Sequence, residues 1–475
     1  MKIIFLNPQG NFDARDSHLT EHPDFGGQLV YVKEVSKALV EQFPEVEVDI
    51  VTRRIDDSKW SAEFAKEISF YPDVSDRLRI VRIPCGGNNF LRKELLWKHI
   101  PEWVDNIISF YGSQLPDYAT AHYGDGGYAA VLLQKKTGIP FSFTAHSLGA
   151  QKLDKLFREH HDFEELDAWY QFSKRIQAER LSVLHASLII TSTAMEHTDQ
   201  YTHPLYREFI QSTKTEKFAV IPPGVNTSIF NTHIDEQDRQ IFDKIDKKIG
   251  KTTKPAVILS SRLDEKKNHL AAVKAYANDP HLPKKARLGI FLRGIDDPYR
   301  EADTLGENER KILKAILQEV EDHKLQDKVF FLNLLSQKDL AAAYKYFARL
   351  KSLFVLTAFY EPFGLAPIEA GACGLVPVTT QNGGPSDIFK DDKGILIDPA
   401  NTLDIAAGMN KALEQFDDYS QKVKNLVLNN YTWQQTAKNY YRKLTAIART
   451  NVDTSFQIPV LNASEDIKTY LKKDE

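Results

Sequence analysis

The run Glu361-Pro362-Phe363-Gly364-Leu365-Ala366-Pro367-Ile368-Glu369 sets two carboxylates eight residues apart. An apolar, strand-like run at 353–356 precedes it, and small and apolar residues at 370–376 follow it. That context reads as strand, loop, helix, with one carboxylate in the loop and the other about a turn into the helix. Pro362 and Gly364 hold the loop open, which leaves the backbone N–H groups of Leu365 and Ala366 free at the helix start. Such groups, with the positive end of the helix dipole, favour a phosphate. Carboxylates around a phosphate-binding helix end suit a ligand with hydroxyls on both sides of a phosphate, the shape of a sugar nucleotide.

Four further loops lie at predicted strand ends. Asp24-Phe25-Gly26-Gly27-Gln28 stands before the first long helix. Its glycines let backbone N–H groups approach a diphosphate closely, although the pair also reads as a plain turn. In Ala145-His146-Ser147-Leu148-Gly149-Ala150-Gln151-Lys152, the histidine ends a strand and can hydrogen-bond a sugar hydroxyl or a developing cation. A satisfied loop histidine is the other reading, and Ser147 and Lys152 beside it favour a polar ligand. In the stretch from Ser260 to Asn268, Arg262 ends a strand and Lys267 starts a helix, so two cations can converge; Glu265 and Lys266 read as a solvated face. The fifth loop, Gln381-Asn382-Gly383-Gly384-Pro385, reads as a strand-to-helix connection.

These loops need alternating elements to position them. Strands are expected at 2–7, 48–52, 79–83, 118–122, 141–145, 188–191 and 219–221, with helices at 27–43, 126–136 and 163–185 among them. From 256 the alternation restarts, with strands at 256–260, 288–292, 329–332, 353–356, 376–379 and 395–397 and helices at 268–277, 300–323 and 337–347. Alternation of this kind argues for doubly wound parallel sheets, whose ligands sit beyond the carboxyl ends of the strands. Pro222-Pro223-Gly224 is a turn and a hinge candidate, and the charged stretch 231–254 is expected to hold a surface helix. The division expected is 1–222, completed by C-terminal helices at 445–475, and 223–444, with the last long helix crossing back.

The whole-chain quantities agree with this layout. A chain of 475 residues exceeds one core. Its 42% hydrophobic and 27% charged residues are those of an ordinary globular protein. A net charge of −4 points to neither nucleic acid nor an anionic membrane, so any anion site must be local. Cys85 and Cys373 lie far apart and form no redox or metal motif, which fits a reducing cytoplasm. No run approaches the ~20 apolar residues of a membrane span, the N-terminus reads as a strand and not as a signal peptide, and no apolar stripe compels an oligomer.

The pattern Arg262-x4-Lys267 followed by Glu361-x7-Glu369 resembles the retaining glycosyltransferases of the GT-B fold, an α/β architecture of two Rossmann-like doubly wound parallel-sheet domains facing a cleft. Within them the chain is most similar to the sucrose-phosphate synthase family. The motifs that carry this are Asp24 to Glu34, His122-Tyr123-Gly124-Asp125-Gly126-Gly127, His146 to Lys152, Arg175-Ile176-Gln177-Ala178-Glu179-Arg180, Ile221 to Asn226, Ser261-Arg262-Leu263-Asp264 and the Glu361 run, which together span about 1–445. The resemblance implies that Glu369 holds the ribose hydroxyls. It implies that Arg262 and Lys267 bind the diphosphate with the N–H groups of Leu365, Ala366 and Gly27. Glu361 and His146 would hold the donor glucose. Gln28, Lys93, Tyr123, Ser147, Lys152 and Arg175 would hold the acceptor, fructose 6-phosphate, with Lys93 and Arg175 as cations for its phosphate.

The implied reaction transfers glucose from UDP-glucose as co-substrate, with retention and no essential cofactor. The family places no carboxylate nucleophile below the sugar, so front-face attack is implied, with the leaving diphosphate taking the proton. No Asp-x-Asp triplet occurs, and the cations at 262 and 267 would replace a metal clamp. Ala145 stands where the pattern has glycine, a change that tightens the loop. The chain lacks the N-terminal extension of plant forms and a phosphatase-like domain, so sucrose 6-phosphate is the expected product. Sucrose synthase and a GDP-mannose-dependent transferase are the nearest alternatives; a nucleotide-sugar epimerase and an inactive binding module are more distant. The first-domain cations favour a phosphorylated acceptor over free fructose and speak against an epimerase, the intact set of Arg262, Lys267, Glu361 and Glu369 speaks against an inactive module, and a GDP-mannose donor with fructose 6-phosphate stays open.

Overall fold

Ile3, Ile4, Phe5 and Leu6 have no exposed surface at all, the condition of a strand covered by helices on both faces. They belong to β1 (Lys2–Leu6), which pairs in parallel with β2 (Glu47–Arg53) on one side and β5 (Tyr118–His122) on the other. The computed structural model describes residues 1–14, 27–211, 215–448, 450 and 452–472. Among them the chain divides into two compact units, Met1–Pro222 with Thr436–Glu475, and Pro223–Gln435.

The sheet of the first unit also contains β3 (Ile68–Phe70), β4 (Leu78–Ile83), β6 (Phe141–Thr144), β7 (Leu188–Thr191) and β8 (Phe218–Val220), in the order β3-β4-β2-β1-β5-β6-β7-β8. Every pairing is parallel except β3 with β4. The three-residue edge strand β3 has no counterpart in the sequence reading, because one buried residue, Phe70 being exposed, leaves no alternation to detect. The sheet of the second unit has the order β11-β10-β9-β12-β13-β14, all parallel. Its strands are β9 (Ala256–Leu259), β10 (Arg287–Leu292), β11 (Val329–Asn333), β12 (Leu353–Leu356), β13 (Val376–Thr380) and β14 (Ile395–Ile397).

Two long helices expected from pattern are broken. The stretch 163–185 forms Phe163–Tyr170 and Phe172–His185, because Gln171 adopts φ 53°, a left-handed conformation that ends one helix and starts the next. The stretch 300–323 is a short helix, a 3₁₀ turn and then Glu307–Asp322, separated at Gly306. The charged stretch holds the helix Glu236–Ile249, opened by a capping box between Asp235 and Asp238 and anchored by Phe242 and Ile245. The chain rejoins the first unit at Thr436, earlier than 445, within the helix Trp433–Ile447: Tyr440 stacks on Phe5 and Tyr441 on Phe43. The helix Ser464–Leu471 follows, with Ile467 fully buried in the first core.

Candidate active site

In the second unit three loops at the carboxyl ends of strands are stitched together. Phe359 N–H donates to the Lys266 carbonyl at 2.9 Å, and the Thr357 hydroxyl donates to the Asn268 carbonyl at 2.8 Å. Glu361 N–H donates to the Asn382 carbonyl at 3.1 Å, and Gly384 N–H donates to the Glu361 carbonyl at 2.9 Å. The Gln381–Pro385 stretch is therefore more than a connection, since it is the backing of the Glu361 run. Gly383 sits at φ +94°, and a Cβ there would lie 2.1 Å from the Glu361 carbonyl oxygen, so the backing requires glycine.

This bracing brings Lys267 Nζ to 2.7 Å from Glu361 Oε2, with both side chains partly exposed. Arg262 is exposed and makes no hydrogen bond or ion pair among the described residues, so its charge is available. The helix Leu365–Ala372 starts from Gly364 at φ +109° without a side-chain cap. Among the described residues, the N–H groups of Leu365 and Ala366 donate to no protein acceptor. Glu369, one turn inside that helix, lies beside buried Tyr344 and Cys373, and burial pushes its carboxyl up to about 8.

The first unit carries a small pocket open to solvent. Lys93, Tyr123, Lys152 and Arg175 all line it. They arrive from a 3₁₀ turn after β4, the start of the helix Tyr123–Thr137 after β5, the helix Gly149–His160 after β6 and the helix Phe172–His185. Lys152 Nζ stands 4.1 Å over the Tyr170 ring, and the Arg175 guanidinium 4.4 Å over Tyr123. Arg175 Nη2 donates to the carbonyl of Ser147 at 2.8 Å and to its hydroxyl at 3.2 Å, so Ser147 orients the arginine. Gln28 donates to Asn7 Oδ1 at 3.1 Å and does not line this cavity, and Gly27 is exposed. Residues 24–26 of the first glycine loop lie outside the described residues.

Several contributors escaped the sequence reading. Glu179, fully buried, accepts from Arg175 Nε at 2.9 Å, from Gly149 N–H at 3.0 Å and from the Tyr206 hydroxyl. The i, i+4 spacing of Arg175 and Glu179 in one helix was the signal that could have found it. Asp125 lines the cavity with its Oδ1 on the Gly126 N–H at 2.8 Å and a buried, unpartnered Oδ2. Burial pushes its carboxyl up to about 6, against hydrogen bonds from Gly126 and Gln9 and the charge of Lys93. Gln9, Glu94, Trp97, Tyr170 and Phe172 complete the wall.

His146 is held in a left-handed conformation, φ 58°, directly after β6, and Tyr123 likewise at φ 66° after β5. Strained residues of this kind persist where their surroundings over-determine them. His146 Nε2 lies 2.9 Å from His122 Nδ1, and burial pulls its imidazole down to about 3.

The family model for the sucrose synthase first GT-B domain matches residues 1–251, and that for group 1 glycosyl transferases matches 241–427. A probable sucrose-phosphate synthase of Thermosipho melanesiensis is 44% identical over 95% of this chain and 97% of its own length. The chain belongs to the sucrose-phosphate synthase family. The spinach sucrose-phosphate synthase is 30% identical over 94% of the chain, which spans 47% of that longer protein. Among solved structures, sucrose-phosphate synthase of Thermosynechococcus elongatus superposes with a TM-score of 0.64 at 21% identity, covering 94% and 99% of the two chains. An Anabaena protein solved in complex with UDP and glucose gives 0.59 at 16%, covering 94% and 100%. The fold is thus that of GT-B glycosyltransferases, and the chain is a hexosyltransferase of this family. Among the described residues no three His, Cys, Asp or Glu side chains gather as a metal site, and no helix is long and apolar enough to cross a membrane.

Proposed function

We propose that this enzyme transfers glucose from UDP-glucose to the anomeric hydroxyl of fructose 6-phosphate, giving sucrose 6-phosphate and UDP with retention at glucose. The observation that carries this reading is the pocket of the first unit, where Lys93, Lys152 and Arg175 meet two carboxyls, Glu94 and Asp125. Three cations suit a sugar phosphate and the carboxyls suit sugar hydroxyls; free fructose would need only the latter.

The donor is held by the second unit. Glu369 accepts from the ribose hydroxyls. Arg262, Lys267 and the N–H groups of Leu365 and Ala366 take the diphosphate, and Glu361 takes the glucose. Lys267 rests on Glu361; a diphosphate would draw the ammonium away and leave Glu361 to accept from a sugar hydroxyl. A retaining double displacement needs a carboxylate nucleophile and a second carboxyl about 5–5.5 Å from it. The reading favoured here uses front-face attack instead. The C–O bond to the diphosphate breaks, a diphosphate oxygen takes the acceptor's proton, and the new glycosidic bond forms on the same face. The two cations and the helix N–H groups stabilise the charge that grows on the leaving group, and no divalent metal is required for it.

The test is UDP release by purified protein from UDP-glucose, with fructose 6-phosphate or fructose as acceptor. Turnover with the phosphorylated sugar alone supports the reading. Turnover with fructose alone would assign the cavity differently, and turnover with GDP-mannose in place of UDP-glucose would change the donor.

A further inference from the structure

The second unit carries a groove of about 380 Å³ whose lining includes none of the residues assigned to the donor. It lies between the N-terminal halves of two helices, Glu236–Ile249 and Gln337–Arg349, with Ser228 and Ile229 as a third wall. That volume falls within the roughly 300–1,000 Å³ of small-molecule sites. Asp238 and Lys345 form its base, an ion pair of 2.9 Å in which each side chain is 7% exposed. Asp238 Oδ2 also accepts from the Asp235 N–H at 2.9 Å. Lys345 has three hydrogens and, among the described residues, uses one, on Asp238 Oδ2. A buried ammonium with hydrogens to spare, at the base of an open groove, calls for an acceptor from outside the chain.

The walls decide the class of ligand. Lysines 244, 338 and 345 are matched by aspartates 235, 238 and 339, so the lining has no net formal charge. Each helix start is capped within the protein: Asp238 N–H donates to the Asp235 carboxylate at 2.8 Å, and Asp339 N–H donates to the Ser336 hydroxyl at 3.0 Å. Asp238 and Asp339 also place negative charge in the first turns, which offsets the helix dipoles. Nothing here selects a net anion. The amides of Gln237 and Gln240 and the two serine hydroxyls can both donate and accept, while Ile229, Ile241, Ala341 and Ala342 are apolar. A sugar ring is the complement of such a lining, with hydroxyls around its edge and C–H groups on its faces.

We infer that this groove is a second ligand site, taking a neutral sugar of one or two rings, and that its occupancy adjusts the donor site. The link is the helix Gln337–Arg349. Lys345 follows Tyr344, whose hydroxyl is hydrogen-bonded to Ser260, two residues before Arg262, and which lies beside Glu369. A ligand that draws Lys345 towards itself moves the turn that carries Tyr344, and with it one wall around Glu369. The effect on the donor rests on the function proposed above; binding in the groove does not.

Saturation-transfer NMR of the full-length protein, with glucose, sucrose and trehalose as separate probes at millimolar concentration, reads the binding. UDP and fructose 6-phosphate are added in excess to fill the donor and acceptor sites. Gln240→Trp sets a bulky ring on the exposed rim of the groove, away from every residue assigned to the reaction. It is expected to abolish the signal and leave turnover unchanged. Asp238→Asn with Lys345→Met removes the buried pair as a unit and should weaken binding about tenfold, the weight of one hydrogen bond to a charged group. No signal from any of the three sugars, or an equal signal in folded Gln240→Trp, overturns the site. A signal from glutamate or citrate but from no sugar overturns the ligand class. Calorimetry of UDP with and without the sugar reads the coupling: Kd for UDP should shift about fivefold or more in wild type and not in Gln240→Trp. An unchanged Kd with the groove occupied overturns the link through Tyr344.

Discussion

Replacing Glu369 by glutamine should make stability independent of pH where the wild-type enzyme loses it. Burial holds the Glu369 carboxyl at about 8 in the folded protein against 4.5 for the free group. The folded value is the higher one, so the stability from this residue is fully present below about pH 4.5 and is lost as pH rises towards 8. A gap of about 3.5 units corresponds to about 5 kcal/mol at the limit. The residue retains some exposure, and solvent screening brings this to roughly 2–4 kcal/mol. Glutamine has the shape of the protonated acid and no charge to bury. For a unit the size of Pro223–Gln435, Glu369→Gln should melt at the same temperature as wild type at pH 5 and roughly 5–15 °C above it at pH 9. Calorimetric scans of both proteins at several pH values give the comparison, and parallel curves from pH 5 to 9 would refute the argument. The same carboxyl links pH to ligand: ribose hydroxyls are best accepted by the charged form, so UDP binding near pH 7 should expel a proton, measurable as a dependence of the binding heat on buffer.

Lys267→Ala should lower kcat by about 10²–10³, the usual cost of one donor to a developing oxyanion. The partly exposed ion pair it loses should change stability by no more than about 1 kcal/mol; a near-normal kcat would remove Lys267 from the mechanism. Glu179→Gln breaks a buried pair and leaves the Arg175 charge uncompensated, a loss of about 3–5 kcal/mol visible in urea titration together with a raised KM for the phosphosugar. An unchanged midpoint would mean that Arg175 has another anchor. Gly383→Ala should displace the Glu361 carbonyl and raise KM for the donor while leaving acceptor affinity intact, and unchanged donor kinetics would show that the backing loop can yield. Activity should persist in EDTA, and complete loss with recovery on adding a divalent cation would restore a metal to the reaction.

The two sheets were legible because their strands are short, mostly apolar and separated by turn residues, which is what burial on both faces demands. The breaks at Gln171 and Gly306 were not, since a single left-handed residue at 171 and a single extended glycine at 306 interrupt a helix without interrupting its apolar spacing. In the site, charged residues at strand ends could be singled out along the chain, as Lys267 and Glu361 were. Asp125 and Glu179 sat inside motifs already noted, yet their chemistry depends on what surrounds them: an unpartnered oxygen in one case, a guanidinium and a tyrosine from separate helices in the other. His122 reads as the last residue of a buried strand, and its part in a hydrogen-bond chain exists only once β5 and β6 lie side by side.

The chain leaves the first unit at Pro222 and returns to it at Thr436, so the second unit is an insertion within the first. The returning segment fills the first core with Tyr440, Leu444, Ala463 and Ile467 and fastens itself through Asp466 to Arg180 at 2.5 Å and through Lys468 to Glu164 at 2.8 Å. During synthesis the order of completion is therefore inverted. The inserted unit has all of its residues first, while the unit begun at Met1 waits on the order of ten seconds or more, at ordinary elongation rates, for the segment that closes it. Through that interval Phe5 and the helix carrying Arg175 lack their final neighbours, and a nascent chain halted before Thr436 would depend on chaperones for the half that was made first.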